Sequence, residues 1–165
     1  LRHNTASVDV VGSMGPMIEL GAGSDMVLTA RENIFLSGAV LGFSKIYLTV
    51  KFDKIVDISE MREFLDVPMK NYSSDMVARI GFAIATITQP DILIVDEILA
   101  VGDFQFQQKC ETRIQGMIKD ETTVLIVSHD IGQIERLCNR VMWLESGKVK
   151  MIGETATVCE QYKNS

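Results

Sequence analysis

The sequence lacks the features of membrane-spanning, secreted and nucleic-acid-binding proteins. No apolar run approaches the roughly 20 residues that span a bilayer, since the longest, around Ile80–Ile87, is too short. Leu1–Asn4 is not followed by the apolar core of a secretory signal. No run of basic residues occurs and the net charge is −6, which disfavours a nucleic-acid partner. We therefore expect a soluble protein that does not bind nucleic acid.

Cysteine is also scarce. Cys110, Cys138 and Cys159 have no metal-like spacing, and an odd number without a signal peptide predicts free thiols in a reducing cytosol. The 165 residues suffice for one domain with one core. Because residue 1 is leucine rather than methionine, we interpret the sequence as part of a longer protein.

The first half of the chain is predicted to be mostly helical, and the second half to alternate strands and helices. Short strands are expected at Ser7–Val11 and Met17–Leu20, and Thr29 with Glu32 forms a capping box for a helix from Ala30 to about Leu41. Further helices are expected at about 50–57, 59–65, 76–88, 104–119, 131–138 and 155–162, and strands at 92–95, 123–127, 141–145 and 148–152. This order predicts an α/β fold with a parallel sheet and a helical insertion. The helical part covers about 25–88 and the α/β core about 89–165.

Two carboxylates follow a continuous apolar run. Ile92–Val95 is expected to be a central parallel strand, and Asp96 and Glu97 come directly after it. Ligands of such sheets lie at the carboxyl ends of the strands. There Asp96 could hold Mg²⁺, and Glu97 could orient or deprotonate a water. The alternative is a strand that simply ends in a solvated turn.

Two further polar segments stand beside apolar elements. Ser128–Asp130 follows the expected strand at 123–127, so His129 could reach a phosphate if the two strands are neighbours. The alternative is a turn that only caps the next helix. Asn71–Asp75 precedes an apolar helix, where its serines could cap the helix or the helix start could bind an anion.

Taken together, the three segments resemble the ABC ATPases. Tyr72–Met76 is similar to the family's signature motif, Asp96 to its Walker B aspartate, Glu97 to its catalytic glutamate, His129 to its switch histidine and Ala100–Asp103 to its D-loop. The resemblance covers nearly the whole chain and implies a P-loop NTPase fold with a mostly parallel sheet and a helical signature subdomain. The residues for which it implies contact with the nucleotide are Tyr72, Ser73, Ser74, Asp75, Met76, Glu19 and Asp103.

Other segments narrow the resemblance to the ATPases that export O-antigen, capsular polysaccharide or teichoic acid. They are Ile18–Gly23, where Glu19 stands at the Q-loop position, Leu28–Asn33, Leu99–Asp103 and Phe106–Cys110. The resemblance implies ATP and Mg²⁺ as cofactors and a homodimer or a second ATPase subunit. It also implies an integral-membrane permease at the cytoplasmic face of the membrane, with the glycan contacted only indirectly. Residues 25–70 would form the groove for the permease.

The sequence departs from the family in its phosphate loop. Gly-Lys followed by Ser or Thr occurs nowhere, and the only Gly-Lys pair, Gly147–Lys148, precedes Val149. Without that loop, no lysine and no converging backbone N–H groups hold the β- and γ-phosphates. We predict that the chain alone neither binds ATP tightly nor hydrolyses it.

Asp75 is a second departure, because the family places glycine there. Its carboxylate would meet the partner's γ-phosphate, and two unit charges about 4 Å apart repel by roughly 4 kcal/mol at an effective dielectric near 20. The alternative is that Asp75 stabilises the helix start by roughly 0.3–1 kcal/mol. Two other functions stay open: a degenerate cassette that acts as an assembly module, and an ABC ATPase of a non-transport class.

Overall fold

The structure is a computed structural model that describes residues 8–17, 23–96 and 103–165. A helical segment separates the first strand from a region of alternating strands and helices. The elements in chain order are β1 (Met14–Met17), α1 (Ala30–Val40), α2 (Lys45–Ser59), α3 (Ser74–Ala85), β2 (Ile92–Asp96), α4 (Phe104–Lys119), β3 (Thr123–Val127), α5 (Ile131–Leu137), β4 (Arg140–Glu145), β5 (Lys148–Glu154) and α6 (Thr155–Lys163). Within the described ranges, no helix is both long and apolar enough to cross a membrane.

Strands β1, β2 and β3 form a parallel sheet in that order. The central strand is more buried than β3, and its Leu93 and Val95 are 0% and 1% exposed. The expected parallel sheet with a central strand at 92–95 is therefore confirmed. Because β1 belongs to this sheet, the helical segment is an insertion between two neighbouring strands.

The expected strand at Ser7–Val11 is wrong for the described residues 8–11, which form no strand. Val8 and Val11 are 74% and 92% exposed, so their β-branched side chains lack the packing that makes such residues favour strands. The first strand begins instead at Met14. Of the second expected strand, only Met17 lies in β1, and its other residues lie outside the described ranges.

The helical insertion begins with the expected capping box. Thr29 N–H donates to Glu32 Oε2 at 2.9 Å, and Glu32 N–H donates to Thr29 Oγ1 at 3.3 Å. The second helix is longer than expected because Ser44 caps it by accepting from Tyr47 N–H at 3.2 Å. It ends at Ser59, because the next residue, Glu60, has a left-handed φ of 59°. The expected helix at 59–65 is therefore only a short 3-10 turn, Arg62–Phe64.

Helix α3 is shared by two hydrophobic clusters. One face, including Phe82 and Ala85, packs in the cluster of the sheet and α4, where the rings of Phe82 and Phe106 meet edge to face at 5.9 Å. The other face, including Ile80 and Ile84, packs in the cluster of α1 and α2. No residue from 76 to 85 is exposed, which confirms the prediction of a helix buried on nearly all sides.

The last part of the chain follows the predicted order. Strands β4 and β5 pair antiparallel around Ser146 and Gly147, both of which have positive φ, as tight hairpin turns require. The cysteines at 110, 138 and 159 are free thiols, as expected. Burial raises the pKa of the Cys110 thiol to about 12, so it stays protonated at neutral pH.

Candidate functional site: a sheet edge and a capped helix

The carboxyl ends of the three parallel strands lie at one edge of the sheet. Asp96 is the last residue of β2 and is half-buried, and it pairs in register with Val127 at the end of β3. His129 comes two residues after Val127 and is exposed. The structure thus brings Asp96 and the segment that carries His129 to the same edge, as the sequence predicted. Glu97 and Glu19 lie outside the described residues.

The turn that carries His129 is fixed by the residues on either side of it. Ser128 Oγ accepts a hydrogen bond from Asp130 N–H, and Asp130 Oδ1 accepts one from Gln133 N–H, each at 3.1 Å. Asp130 thereby caps α5. The structure therefore contains the helix cap that the sequence suggested. His129 is exposed beside the sheet edge.

Among the described residues at this edge, Asp96 suits a Mg²⁺ ion that is bound jointly by the protein and a ligand. In the described part of the chain, no three His, Cys, Asp or Glu side chains converge on a metal position. Mg²⁺ usually binds one or two carboxylates together with substrate phosphates and waters, rather than a cage made only of protein. A single half-buried carboxylate at Asp96 meets that requirement.

The signature-like segment forms the start of α3. Ser73 is the cap, and its Oγ accepts from Met76 N–H at 3.3 Å, which leaves the hydroxyl proton free to donate elsewhere. Tyr72 and Met76 pack against the helical cluster, whereas Ser74 and Asp75 are exposed in the first turn. Two of the five residues therefore anchor the segment, and the other three present polar groups at the helix start.

The tyrosine of this segment is tied to the loop before it. Tyr72 Oη donates to the Phe64 carbonyl at 2.5 Å. Burial, with a smaller contribution from the charge of Asp66, raises the pKa of the Tyr72 hydroxyl. The phenol therefore stays protonated and holds the loop against α3.

Asp103, the last residue of the D-loop-like segment, has both carboxylate oxygens engaged within the chain. Its Oδ1 accepts from Phe106 N–H and caps α4, and its Oδ2 accepts from Arg79 on α3, each at 2.9 Å. The hydrogen bond from the Phe106 backbone, aided by the charge of Arg79, lowers the pKa of this carboxyl. In this arrangement Asp103 fixes the start of α4 relative to the signature helix.

Arg79 is a site residue that the sequence reasoning missed. Besides Asp103, its guanidinium pairs with Glu60 Oε2 at 3.0 Å and lies 4.2 Å from the centre of the Phe106 ring. Glu60 also pairs with Lys109 on α4. The signal in the sequence was a lone arginine in an apolar helix, because such a charge needs a partner when it is buried.

The chain closely resembles curated export proteins. It is 40% identical over 165 residues to the O-antigen export system ATP-binding protein RfbB of Klebsiella pneumoniae, matching all of this chain and 67% of that protein. It is 42% identical over 161 residues to the teichoic acids export ATP-binding protein TagH of Lactiplantibacillus plantarum, matching 98% of this chain and 44% of that protein. No family model matches the chain.

Solved structures agree in fold. The ATP-binding cassette MJ0796, in a dimeric post-hydrolysis state bound to ADP and Pi, superposes with a TM-score of 0.71 at 20% identity, covering 87% of this chain and 63% of that one. An ATP-binding subunit of an ABC transporter superposes with a TM-score of 0.77 at 18% identity, covering 92% and 62%. The chain thus spans about two thirds of the Klebsiella protein and slightly less of these structures. It belongs to the ATP-binding proteins of ABC transporters, the family of ATPases that includes the O-antigen and teichoic acid export subunits.

Proposed function

We propose that this chain supplies the signature segment, the Walker B carboxylates and the switch histidine of an ATPase that powers polysaccharide export across the cytoplasmic membrane. The observation that carries the proposal is the register of β2 and β3, which sets Asp96 beside the strand that leads to His129. The 40% identity to an O-antigen export protein supports the kind of cargo. The exported glycan would be O-antigen, capsule or teichoic acid.

The residues at the sheet edge have distinct roles in this proposal. Asp96 would hold Mg²⁺, and the ion, when bound, would neutralise negative charge on the phosphoryl oxygens of the nucleotide. Glu97 orients the attacking water and accepts its proton. His129 hydrogen-bonds the γ-phosphate, and Glu19 senses the nucleotide. The products are ADP and inorganic phosphate.

The signature segment acts on a nucleotide held by another protomer. Ser73 and Ser74 lie at the start of a capped helix, where hydroxyls, backbone N–H groups and the helix dipole favour an anion. The proposal therefore requires a dimer of ATPase subunits. Asp103 is a positioning residue in this scheme, since its carboxylate is engaged by Arg79 and by the cap of α4.

The permease would dock on the helical insertion, within residues 25–70. Apolar side chains are exposed there at the end of α1 and along one side of α2, with Val40 65%, Ile46 79% and Val50 76% exposed. Ile46 and Val50 are four residues apart and so share a helix face. Clustered exposed apolar residues are typical of protein-interaction surfaces, which supports a subunit held at the cytoplasmic face of the membrane by its partner.

The 165-residue chain by itself is proposed not to bind ATP tightly. It carries no Gly-Lys-Ser or Gly-Lys-Thr, so the lysine and loop amides that hold the β- and γ-phosphates are missing. We expect no saturable binding when ATP with Mg²⁺ is titrated into the chain up to millimolar concentration in a calorimeter. A micromolar dissociation constant would contradict this part of the proposal.

Export by a hybrid protein tests the proposed function. The hybrid carries this chain in place of the aligned 165 residues of Klebsiella RfbB, and it is expressed in cells that lack RfbB. We expect O-antigen to reach the surface with the hybrid but not with its Glu97→Gln variant expressed to the same level. If the purified hybrid hydrolyses ATP and export still fails, the ATPase assignment stands and the pairing with this permease is wrong.

A second candidate is a degenerate cassette that assembles with an active partner without hydrolysing ATP itself. The exposed Asp75 in the first turn of α3 favours it, because the carboxylate occupies the position that faces a phosphate in the dimer. The two candidates differ in the purified hybrid, which hydrolyses ATP only under the first.

A further inference from the structure

An open cleft lies between α2 and α4. Its volume is about 960 Å³, and its lining includes Thr86 and Ile87 in the turn after α3. The cleft includes Gln89 and Asp120, which precede β2 and β3, whereas Asp96 ends β2. A strand rises about 3.3 Å per residue, so this end of the cleft and the proposed magnesium position lie at opposite edges of the sheet.

The cleft is positively charged in a negatively charged protein. It is lined by four cations, Lys51, Lys54, Lys109 and Arg113, and by one carboxylate, Asp120, although the chain carries a net charge of −6. Such local concentration of one sign in a concave surface focuses the electrostatic potential and attracts ions of the opposite sign.

The charged side chains of the cleft differ in whether they already form hydrogen bonds or ion pairs with other described residues. Arg113 donates to the hydroxyl and the carbonyl of Thr86, and Asp120 accepts from the Gln89 amide at 2.8 Å. Lys109 pairs with Glu60. Lys51 only lies over the Tyr47 ring, 5.8 Å from its centre, and Lys54 has no hydrogen-bond or ion-pair partner among the described residues.

Polar neutral groups complete the lining. Gln105, Gln108 and Thr112 on α4 face the cleft opposite the lysines of α2, and the Tyr47 ring forms part of its wall. Lysines bind phosphate as point charges, amides and hydroxyls hydrogen-bond phosphoryl and sugar oxygens, and an aromatic ring offers an apolar surface. The volume is in the range of small-molecule sites, roughly 300–1,000 Å³.

We propose that this cleft binds a small phosphorylated anion at a site separate from the nucleotide site. Lys51 and Lys54 of α2 provide positive charge that forms no ion pair with any of the described residues. Lys109 and Arg113 close the opposite wall on α4. The size of the cleft favours a small ligand over an acidic segment of a protein partner.

Inorganic pyrophosphate is the probe for the test, titrated calorimetrically into the 165-residue chain. We expect saturable binding that weakens at least tenfold in the Lys51→Gln/Lys54→Gln variant. The matched control is Lys70→Gln/Lys148→Gln, which removes the same charge outside the cleft and should change the affinity less than twofold. An equal loss in both variants, or no saturable binding to the native chain, overturns the proposal.

A second measurement needs no variant. Lysines of the native chain are acetylated with a limiting reagent with and without pyrophosphate, and the modified peptides are quantified by mass spectrometry. We expect pyrophosphate to protect Lys51 and Lys54 at least threefold and to leave Lys70 and Lys148 unchanged. If a poly-glutamate peptide protects the cleft lysines and pyrophosphate does not, the cleft is a protein-docking surface and the proposal is wrong.

Discussion

Asp75 is the residue of the signature-like segment whose charge opposes the proposed chemistry. It lies exposed in the first turn of α3, one residue after Ser74. There its charge interacts favourably with the helix dipole, and the same charge opposes a phosphate that approaches the helix start. We therefore propose that the side chain stabilises the protomer at the expense of a closed dimer.

Replacing Asp75 tests that conflict. In the hybrid with Klebsiella RfbB, we expect Asp75→Gly to raise the ATP hydrolysis rate by about tenfold, which corresponds to about 1.4 kcal/mol and allows for screening by salt and Mg²⁺. Asp75→Asn separates charge from size and should give most of the gain if repulsion dominates. A rate unchanged in both variants would show that Asp75 does not face the phosphate.

Arg79 has a structural role whose partners the sequence does not reveal. Its side chain is 15% exposed and holds together Glu60 at the end of α2, Asp103 before α4 and the face of Phe106. The segment that would contact the nucleotide and the helix after the D-loop are thereby fixed to each other.

Arg79→Lys should destabilise the protein by about 1 kcal/mol, because lysine keeps the charge but loses the planar group that stacks on Phe106 and reaches two carboxylates. The control is Arg62→Lys, since Arg62 is 58% exposed and pairs with Asp53 and Asp57 at the surface. Urea unfolding of both variants provides the measurement. An equal midpoint shift in the two variants would contradict the account of Arg79.

Among the elements, β1 and β2 are joined at their amino ends by a polar clasp. Ser13 N–H and Oγ–H both donate to Asp91 Oδ2 at 2.7 Å, and Asp91 N–H donates back to Ser13 Oγ at 3.1 Å. The hydrogen bonds from Ser13 lower the pKa of the Asp91 carboxyl. The clasp sets where β1 begins relative to β2.

This clasp predicts a pH-dependent contribution to stability. A carboxyl whose pKa is lower in the folded state contributes stability above its unfolded pKa, here 3.8, and loses it as the pH falls through the folded value. Ser13→Ala should therefore destabilise the protein at pH 7, and the difference from the native chain should shrink below pH 3.8. Unfolding midpoints over this pH range test it, and a difference that stays constant with pH would contradict it.

Elements with strong local signals were predicted well from the sequence, and elements set by tertiary contacts were not. Helix α4 and strand β3 have the expected bounds, because Asp103 caps the helix and the strand is a continuous apolar run. The strand expected at Ser7–Val11 failed because β-branched residues alone do not supply a pairing partner. The same distinction between local signals and tertiary contacts applies to the candidate site. The positions of Asp96 and His129 follow from the order of the strands, whereas the contacts of Arg79 join residues up to 27 positions apart.

At the scale of the whole molecule, two hydrophobic clusters meet at α3. One belongs to the sheet and the other to the helical insertion, and the helix that they share begins at the signature-like segment. Movement of the insertion relative to the sheet would therefore move Ser73 and Ser74. This arrangement suits a subunit in which binding of nucleotide and docking of a permease are coupled.

The central claim is that the sheet edge of this chain hydrolyses ATP once a phosphate loop is supplied. The most direct measurement is phosphate release by the purified hybrid with Klebsiella RfbB, compared with its Glu97→Gln variant at saturating ATP and Mg²⁺. We predict hydrolysis by the hybrid and a loss of at least about 100-fold in the variant, as expected for removal of a general base. Equal rates in the two proteins, or no hydrolysis by a folded hybrid that binds ATP, would contradict the claim.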